Sequence, residues 1–543
     1  MMTALPMLAG NTNENRRRLL GASDENPVDA TWLITNPSFE TGDLTGWTMT
    51  PSEGSDMGAR DYALSDRDGN FEANLYTWWS GVAIEQVVGE VPAGIYEVSA
   101  LVATWEGYTV NFYANDHMVS AAGQGDETGI RLATTVIVGN DGRLSIRADR
   151  TDINWWAEGR TDPYATQGFL KLDDVRLACK GLLDVSEQSD FTAAALNVDG
   201  LPSLINSDGP GSKGTKLIST YLKNKGYDII GFSEDFEYHD ELKSNMTGYS
   251  WGTYRGSVNV LNLFSPANTD GLEFAWNTNT VSVTNESWTQ WSHSESGDGN
   301  QYIKKGFRHY DMTLDAGQVI DVYVLHMDAG DVPQSREQQW SQMADVVNAA
   351  DPNRPKLIIG DTNSRWTREE IKGNFTDRLT TMTAKDAWVE MRREGVYPTT
   401  AMNDLADQTF VNSLGTYEVV DKILYLNPTA ENTLQLVPRG FRLEQDYTYG
   451  TVEGTDNGTQ LGDHRPLAVD FSCMRYKKVT TKIGDVNRDG SITIADLTAQ
   501  VNLILGNDAQ DASDYDCDAA DMNADGEVTT ADIEPLVNLL LDK

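Results

Sequence analysis

Between residues 31 and 179 apolar and polar positions alternate in short runs (YEVSALVATW, YTVNFYAND, RLATTVIVG, RLSIRADR) separated by Gly, Asn and Asp. A period of two puts successive side chains on opposite faces of a strand, and turn residues between short runs favour antiparallel pairing. The segment reads as an all-β sandwich. From about 190 to 475 the pattern changes. The apolar runs FTAAALNV, YDIIGFSE, VIDVYVLHM, PKLIIGD, EVVDKILYL and RPLAVDF read as buried strands, and helical spacing enters between them. In SREQQWSQMADVVNAA (335–350), Trp340, Met343, Val346 and Val347 fall on one helical face. Strands with interspersed helices predict a layered α/β domain. The tail holds two gapless copies of one pattern, GDVNRDGSITIADL and ADMNADGEVTTADI. Each runs into an apolar helix, with Leu497, Val501, Leu503 and Ile504 after the first and Leu536, Val537, Leu539 and Leu540 after the second.

At 543 residues the chain exceeds what one core sustains. The expected organisation is multidomain: a leader over 1–30, a β-sandwich over 31–180, an α/β domain over 190–475 and a small all-α calcium-loop pair over 483–543. The leader is read as unstructured, and its start, MMTALPMLAG, fits either the remnant of a signal peptide or a plain polar-chain leader. Forty-two basic against 82 acidic residues give −40, and each of the three folded segments is net acidic. That lacks the basic face with which groove-tracking nucleic-acid binders hold phosphates, although bound cations can screen a polyanion locally. Cys179, Cys473 and Cys517 show neither CxxC spacing nor a paired framework, so no zinc site or disulfide scaffold is expected. No run reaches the roughly 18 apolar residues that span a bilayer, so no transmembrane segment is expected.

The tail repeat has hard-cation chemistry. Asp485, Asn487, Asp489, Ser491, Thr493 and Asp496 occupy positions 1, 3, 5, 7, 9 and 12 of a calcium loop, as do Asp521, Asn523, Asp525, Glu527, Thr529 and Asp532 in the second copy. Gly490 and Gly526 fall at position 6, where the chain turns sharply. Position 12 is Asp in both copies rather than Glu, and no helix-length amphipathic segment precedes either loop. This loop-plus-helix duplication resembles a type I dockerin. The resemblance implies calcium in both loops and a cohesin-like partner or the cell surface, and hence a secreted or surface-associated chain. The alternative is a calcium-stapled cap without a partner.

In the middle segment several apolar strands end in polar, metal-competent groups. Asn197 closes FTAAALN, Glu234 follows IIGFS, His326 closes VYVLH, Asp361 and Asn363 follow KLIIG, Asp421 stands in VVDKILYL, and Asp463 and His464 stand in GDHRP. Catalytic groups carried at strand ends over a rigid sheet are a common arrangement. Carboxylate and amide oxygens suit magnesium, and an imidazole near its ordinary pKa of about 6.5 can take a proton from water. The order of these motifs resembles the endonuclease/exonuclease/phosphatase superfamily, which includes DNase I-like nucleases, neutral sphingomyelinases and inositol-polyphosphate phosphatases. The resemblance implies a two-sheet α/β sandwich and a divalent-metal-dependent phosphoric ester hydrolase. By it, Glu234, Asn197 and Asp463 would hold Mg2+ (or Mn2+), and Asp421 would orient His464 as general base. Asp361 and Asn363 would orient nucleophile and phosphoryl group, while His326 would stabilise developing negative charge or assist the leaving group. Ser233 stands where the family usually has Gln, and Lys422 where Tyr is common. Asp199, Asp235 and Asp328 beside the motifs read as structural or supporting groups, and Arg336 and Arg365 as surface residues rather than phosphate contacts.

The opening NPSFETGDLTGWT and closing FLKLDDVRLACK of the first segment resemble the terminal strands of jelly-roll carbohydrate-binding modules. That resemblance implies a glycan ligand or only a structural sandwich. Trp78, Trp79, Trp105, Trp155 and Trp156 are stacking candidates, core placement being the alternative for each. The expected activity is a phosphodiesterase acting on a phosphorylated substrate. Alternatives are a phosphomonoesterase on sugar or inositol phosphates, a DNase or RNase, and a non-catalytic glycan-binding adhesin or scaffold. The net acidity of the central segment leans away from nucleic acid. The aromatic stretch 249–264 reads either as rings presented to a lipid head-group surface or as buried strand.

Overall fold

A computed structural model describes residues 14–541 apart from 79, 151–166, 259–268, 403–417, 431, 445, 448–460, 480, 507–514 and 524–526. By compactness the chain divides into residues 186–476 and a second unit made of 1–185 with 477–543.

In the N-terminal part all strand pairs are antiparallel, as the short alternating runs predict. One sheet joins Asp56–Arg60, Glu72–Thr77, residues 168–182, Gly94–Ala103 and Ile130–Val138. The other joins Thr48–Thr50, Val82–Val88, Leu144–Arg150, Thr109–Ala114 and His117–Ala122. Alternate residues such as Ala73, Leu75, Val98, Val102, Ile84, Phe112, Ile146, Leu170 and Leu172 fill one apolar core between the sheets. Part of the segment expected as an unstructured leader is ordered. Residues 14–18 form a helical turn, and Leu19 is fully buried in the same core. The arginine run is tied down rather than solvated: Arg16 donates to the Leu183 carbonyl and Arg18 lies 3.6 Å from the Trp32 ring centroid. An apolar anchor beside charges that find partners outweighs the polar composition that suggested disorder.

The central unit is a two-sheet α/β sandwich. In the first sheet Tyr249–Trp251, Glu273–Asn277, Ile229–Ser233, residues 193–197, Leu467–Lys478 and Leu434–Leu443 lie in that order. In the second the order is Val281–Gln290, Gly306–Leu314, Val319–His326, Lys356–Asp361, Asp421–Pro428 and Met382–Asp386. Ala193, Ala195 and Ile229 face the core shared with Val322, Val324, Ile359 and Ile423. The intervening Ala194, Leu196, Ile230 and Phe232 pack with Ile218 and Leu222 of the helix Gly211–Lys225. The helix Pro333–Ala349 buries Trp340, Met343 and Val347 as expected, with Val346 half-buried.

Two parallel pairs set the site. Asn197 lies opposite Ser233 in one sheet, and His326 opposite Asp361 in the other. Asp361 is in turn the antiparallel partner of Asp421. Motifs far apart in sequence therefore end in one row because their strands are in register. Gly360 makes this possible. At φ +143°, a Cβ there would meet the Leu325 carbonyl oxygen at 2.0 Å.

In the tail, Ile494–Leu505 and Ile533–Leu541 are the two predicted helices, sharing a small cluster with Val486, Ala499, Ala520 and Leu536. A short helix, Cys517–Ala520, precedes the second loop. All three cysteines are free thiols. No helix among the described residues is long and apolar enough to cross a membrane.

Candidate active site

Asn197, Glu234, His326, Asp361, Asp421 and His464 converge at one end of the sandwich. The Asn197 amide nitrogen lies 3.0 Å from Glu234 Oε1 and 3.2 Å from Asp361 Oδ2. His464 Nδ1 is 2.5 Å from Asp421 Oδ2, which turns Nε2 toward Asp361 Oδ2 at 4.0 Å and Asp463 Oδ1 at 3.9 Å. His326 Nε2 is 3.7 Å from Asp361 Oδ2 and 3.9 Å from Glu234 Oε1. Asn363 donates through its backbone N–H to Asp361 Oδ1 and through Nδ2 to the Met327 carbonyl. Asp463 is the exposed member of the group, its side chain 66% accessible. Asp199, Glu234 and Asn363 all have left-handed backbones, with φ +47°, +60° and +49°. Such conformations cost on the order of 1–3 kcal/mol each and cluster where side chains must be aimed.

The electrostatics separate the two histidines. Burial would lower the His464 imidazole, but Asp421, Asp361 and Asp463 outweigh it and hold it well above its ordinary value. His326 goes the other way: burial, then the Lys305 ammonium, push it down to about 3, so its ring is neutral. Burial opposes ionisation of Asp361, yet His464, His326 and Lys305 keep its carboxyl below the usual range.

Carboxylates crowd the opposite side. Burial raises Glu234 despite Lys305 and the Asn197 hydrogen bond. Asp199 is pushed up to about 7 by burial and then by the charges of Asp463 and Glu234. Asp199, read from the sequence as a supporting group, is thus crowded by the charges of Asp463 and Glu234, a crowding that a divalent cation would relieve. All of their ligand atoms are the hard oxygens magnesium or manganese prefers. The site residues fit the expected metal.

One participant carried no sequence signal. Lys305, 5% exposed, brings Nζ to 2.9 Å from both His326 Nε2 and the Met327 carbonyl oxygen. It sits in YIKKGF, outside every motif, and only the strand Gly306–Leu314 delivers it. Two expectations are corrected. Arg336 and Arg365 are not surface residues but 2% and 8% exposed. Arg336 forms a bidentate pair with Glu370, and Arg365 Nε lies 4.0 Å from Glu418 Oε2, which gives both cations buried partners. Asp328 and Asp235 are structural as read. Asp328 accepts from Ser294, Ser335 and the Glu295 N–H, and Asp235 Oδ2 lies 2.6 Å from His239 Nδ1. Ser233 Oγ bridges the Leu325 carbonyl and the Asp361 N–H at 3.4 and 3.5 Å. Lys422 is buried against Asp386, Glu418 and the Val419 carbonyl. In the aromatic stretch Trp251 stacks on Phe232 and Tyr254 on His239; residues 259–264 lie outside the described residues.

In the first calcium loop, ligand oxygens of Asp485, Asp489 and Asp496 lie within 4.8 Å of one another. Asp485 accepts from the Asp489 and Gly490 N–H groups, Ser491 donates its N–H to Asp489 Oδ1, and the Asn487 N–H donates to Asp496 Oδ1. Thr493 and Asp496 also form a capping box on the following helix, which Thr529 and Asp532 repeat. In the second loop Asn523 donates to Asp532 Oδ1, Asp521 pairs with Arg17, and Glu527 is exposed; Asp525 lies outside the described residues. On the sandwich, Trp78 is 50% exposed and Trp105 half-buried; Trp79, Trp155 and Trp156 lie outside the described residues.

Residues 483–541 match the dockerin type I domain. A 285-residue stretch is 26% identical to sphingomyelinases of Mycobacterium bovis and Mycobacterium tuberculosis, covering 52% of this chain and 52% of each relative. The chain thus spans about half the length of the curated relatives it matches. Among solved structures, an endonuclease/exonuclease/phosphatase family protein from Bacteroides thetaiotaomicron aligns at 15% identity over 53% of this chain and 98% of that one, with a TM-score of 0.39. The human Nocturnin catalytic domain with bound sulfate aligns at 16% identity over 53% and 97%, with a TM-score of 0.37. The chain therefore carries a stretch related in sequence to sphingomyelinases and, over residues 483–541, a match to the dockerin type I domain.

Proposed function

We propose that the central domain is a divalent-metal-dependent phosphodiesterase in which His464 deprotonates the attacking water. The observation that carries this is the Asp421–His464 hydrogen bond at 2.5 Å, with Asp463 Oδ1 3.9 Å from the same ring and Glu234 Oε1 3.0 Å from the Asn197 amide nitrogen. Asp421 fixes the ring so that Nε2, not Nδ1, faces the reaction space. Asn197, Glu234 and Asp463 would hold Mg2+ or Mn2+. Bound there, the cation would neutralise phosphoryl oxygens and offset the carboxylate field that keeps His464 protonated. Asp361, ionised and beside Nε2, orients the water with Asn363. His326, neutral and buried, acts with the Lys305 ammonium as a positively charged wall against negative charge developing on the phosphoryl group.

The sequence relation to sphingomyelinases puts a phospholipid diester first among substrates. The test is turnover of sphingomyelin, bis(p-nitrophenyl) phosphate, DNA, RNA and inositol phosphates with magnesium, repeated with chelator. Metal-dependent cleavage of a diester supports the reading. Cleavage of monoesters alone makes the protein a phosphomonoesterase, and no turnover of any substrate leaves a binding protein. For the dockerin domain we propose two bound Ca2+ ions and an extracellular cohesin-type partner, with the sandwich as a jelly-roll module preceding the catalytic domain.

A further inference from the structure

The outer face of the sandwich's first sheet is polar and yet buried. On Glu72–Thr77, Ala73 and Leu75 point into the core, which leaves Glu72, Asn74 and Tyr76 on the opposite face. On the neighbouring residues 168–182, Leu170 and Leu172 point in, leaving Phe169, Lys171 and Asp173. Asn74 pairs with Lys171 and Tyr76 with Phe169, so these side chains form one patch. Glu72, Asn74, Lys171 and Asp173 are nevertheless 0%, 3%, 3% and 0% exposed. Burying such groups is costly, and no inter-sheet packing requires it on this face.

Above the patch lies a cavity of about 350 Å³, lined by Asp56, Tyr62, Asn74, Tyr76, Trp105, Phe169 and Lys171 with Ala63, Asp126 and Glu127. This is at the small end of ligand-binding pockets, about 300–1,000 Å³. Its aromatic surfaces are organised. Trp105 stacks on Phe169 at 4.7 Å, Tyr76 meets Trp105 edge-on at 5.9 Å, and Tyr62 is 44% exposed. The polar groups are held in place. Tyr62 donates to Asp56 Oδ2 at 2.9 Å, Asn74 donates to the Asp56 carbonyl, and Lys171 Nζ donates to the Ala63 carbonyl at 2.7 Å.

We propose that this cavity is a glycan-binding site that accepts one neutral sugar ring of a polysaccharide and rejects acidic ones. Aromatic faces suit the apolar C–H surface of a pyranose, while carboxylate, amide and ammonium groups fixed around them suit its hydroxyls. Selectivity follows from charge. Asp56 is paired with Arg60 and Lys171 with Glu72, which leaves Asp126 and Glu127 at the rim, so a uronate or sulfated ring would bring like charge into a partly desolvated pocket. The proposal gives the general expectation of glycan binding a place and a charge class, and it does not depend on the hydrolytic reading.

The experiment is affinity electrophoresis of the full chain in gels containing galactomannan, xyloglucan or arabinoxylan, with polygalacturonate and chondroitin sulfate as acidic counterparts. Retardation by at least one neutral polymer is expected, weakened at least tenfold in Tyr62→Ala and in Asp126→Ala/Glu127→Ala. Hydrolysis of bis(p-nitrophenyl) phosphate is assayed in parallel and should not change with these substitutions. Asp126 and Glu127 are exposed, so the second variant keeps the test decisive if Tyr62→Ala misfolds. No retardation by any neutral polymer, retardation by acidic polymers alone, or undiminished binding in the folded variants would overturn the proposal.

Discussion

Lys305 Nζ lies 2.9 Å from His326 Nε2, so a buried ammonium and a neutral imidazole share the wall of the catalytic cluster. Burial lowers the lysine's affinity for its proton, and the charges of Glu234, Asp361 and Asp328 offset this only in part. The pairing gives an imidazole that is 1% exposed a hydrogen-bond partner, with its Nε2 also 3.7 Å from Asp361 Oδ2 and 3.9 Å from Glu234 Oε1. Lys305→Met keeps the side chain's length and removes the charge. It should lower kcat on a soluble phosphodiester by on the order of 10²–10³, the range seen when one charge-stabilising donor is removed. A kcat within threefold of the parent, with circular dichroism unchanged, would show that Lys305 only fills space.

The proposed general base, His464, gives a second measurement. His464→Ala should reduce kcat by about 10²–10⁴, as expected for loss of a general base. Asp421→Asn should approach the same loss, because the amide cannot hold the ring in the same tautomer. Groups acting as one unit are not additive, so the double variant should be little worse than His464→Ala alone. Losses that multiply in the double variant would mean that Asp421 acts elsewhere than through His464.

How far the sequence exposed this site follows from where each group sits. Asn197, Glu234, His326 and Asp361 end or directly follow apolar runs, and a strand end is visible as a change from apolar to polar; Asp421 instead opens its strand between two apolar stretches. Strand register then brings His326, Asp361 and Asp421 into one row. Lys305 stands just before its strand rather than at the end of one, and nothing local distinguishes it from Lys304. Its role exists only in three dimensions. Arg336 was misplaced because an arginine on a helix is usually solvated; its bidentate partner Glu370 lies 34 residues away in sequence. The ordering within residues 14–30 escapes composition for a similar reason, since Leu19 is buried in the sandwich core in a stretch that reads as polar.

A buried network at the far end of the second sheet should govern acid stability. Asp321 accepts from Lys356 Nζ at 2.7 Å and Arg354 Nη1 at 2.9 Å, with His309 Nε2 at 3.3 Å. Burial alone would raise its carboxyl, but these partners hold it well below the usual value of 3.8. A carboxyl depressed in the folded state contributes stability above its unfolded pKa and loses it as pH falls toward the folded one. Asp321→Asn should therefore cost about 3 kcal/mol near neutral pH, the scale for breaking a buried pair. The difference between parent and variant in urea denaturation should be constant above about pH 5 and shrink below pH 4. A difference that grew on acidification would contradict this assignment.

Calcium should control the tail separately from catalysis. Asp485, Asp489 and Asp496 bring ligand oxygens within 4.8 Å of one another, and without a cation their repulsion opposes the loop they build. Gly490 holds the turn at φ +85°, which a residue with a Cβ reaches only under strain. Because the unfolded loop binds poorly, calcium at a hundredfold over its Kd should stabilise the tail by about 2.7 kcal/mol. Hydrogen exchange of the full chain would follow this. Adding calcium to chelated protein should protect amides in 485–505 and 521–541 and leave the central sheets unchanged. Asp485→Ala should abolish protection in the first loop while leaving magnesium-dependent diester hydrolysis intact. Equal protection with and without calcium would mean that the loops are held by their own hydrogen bonds and caps, and that the acids at positions 1, 5 and 12 serve only as helix and turn formers.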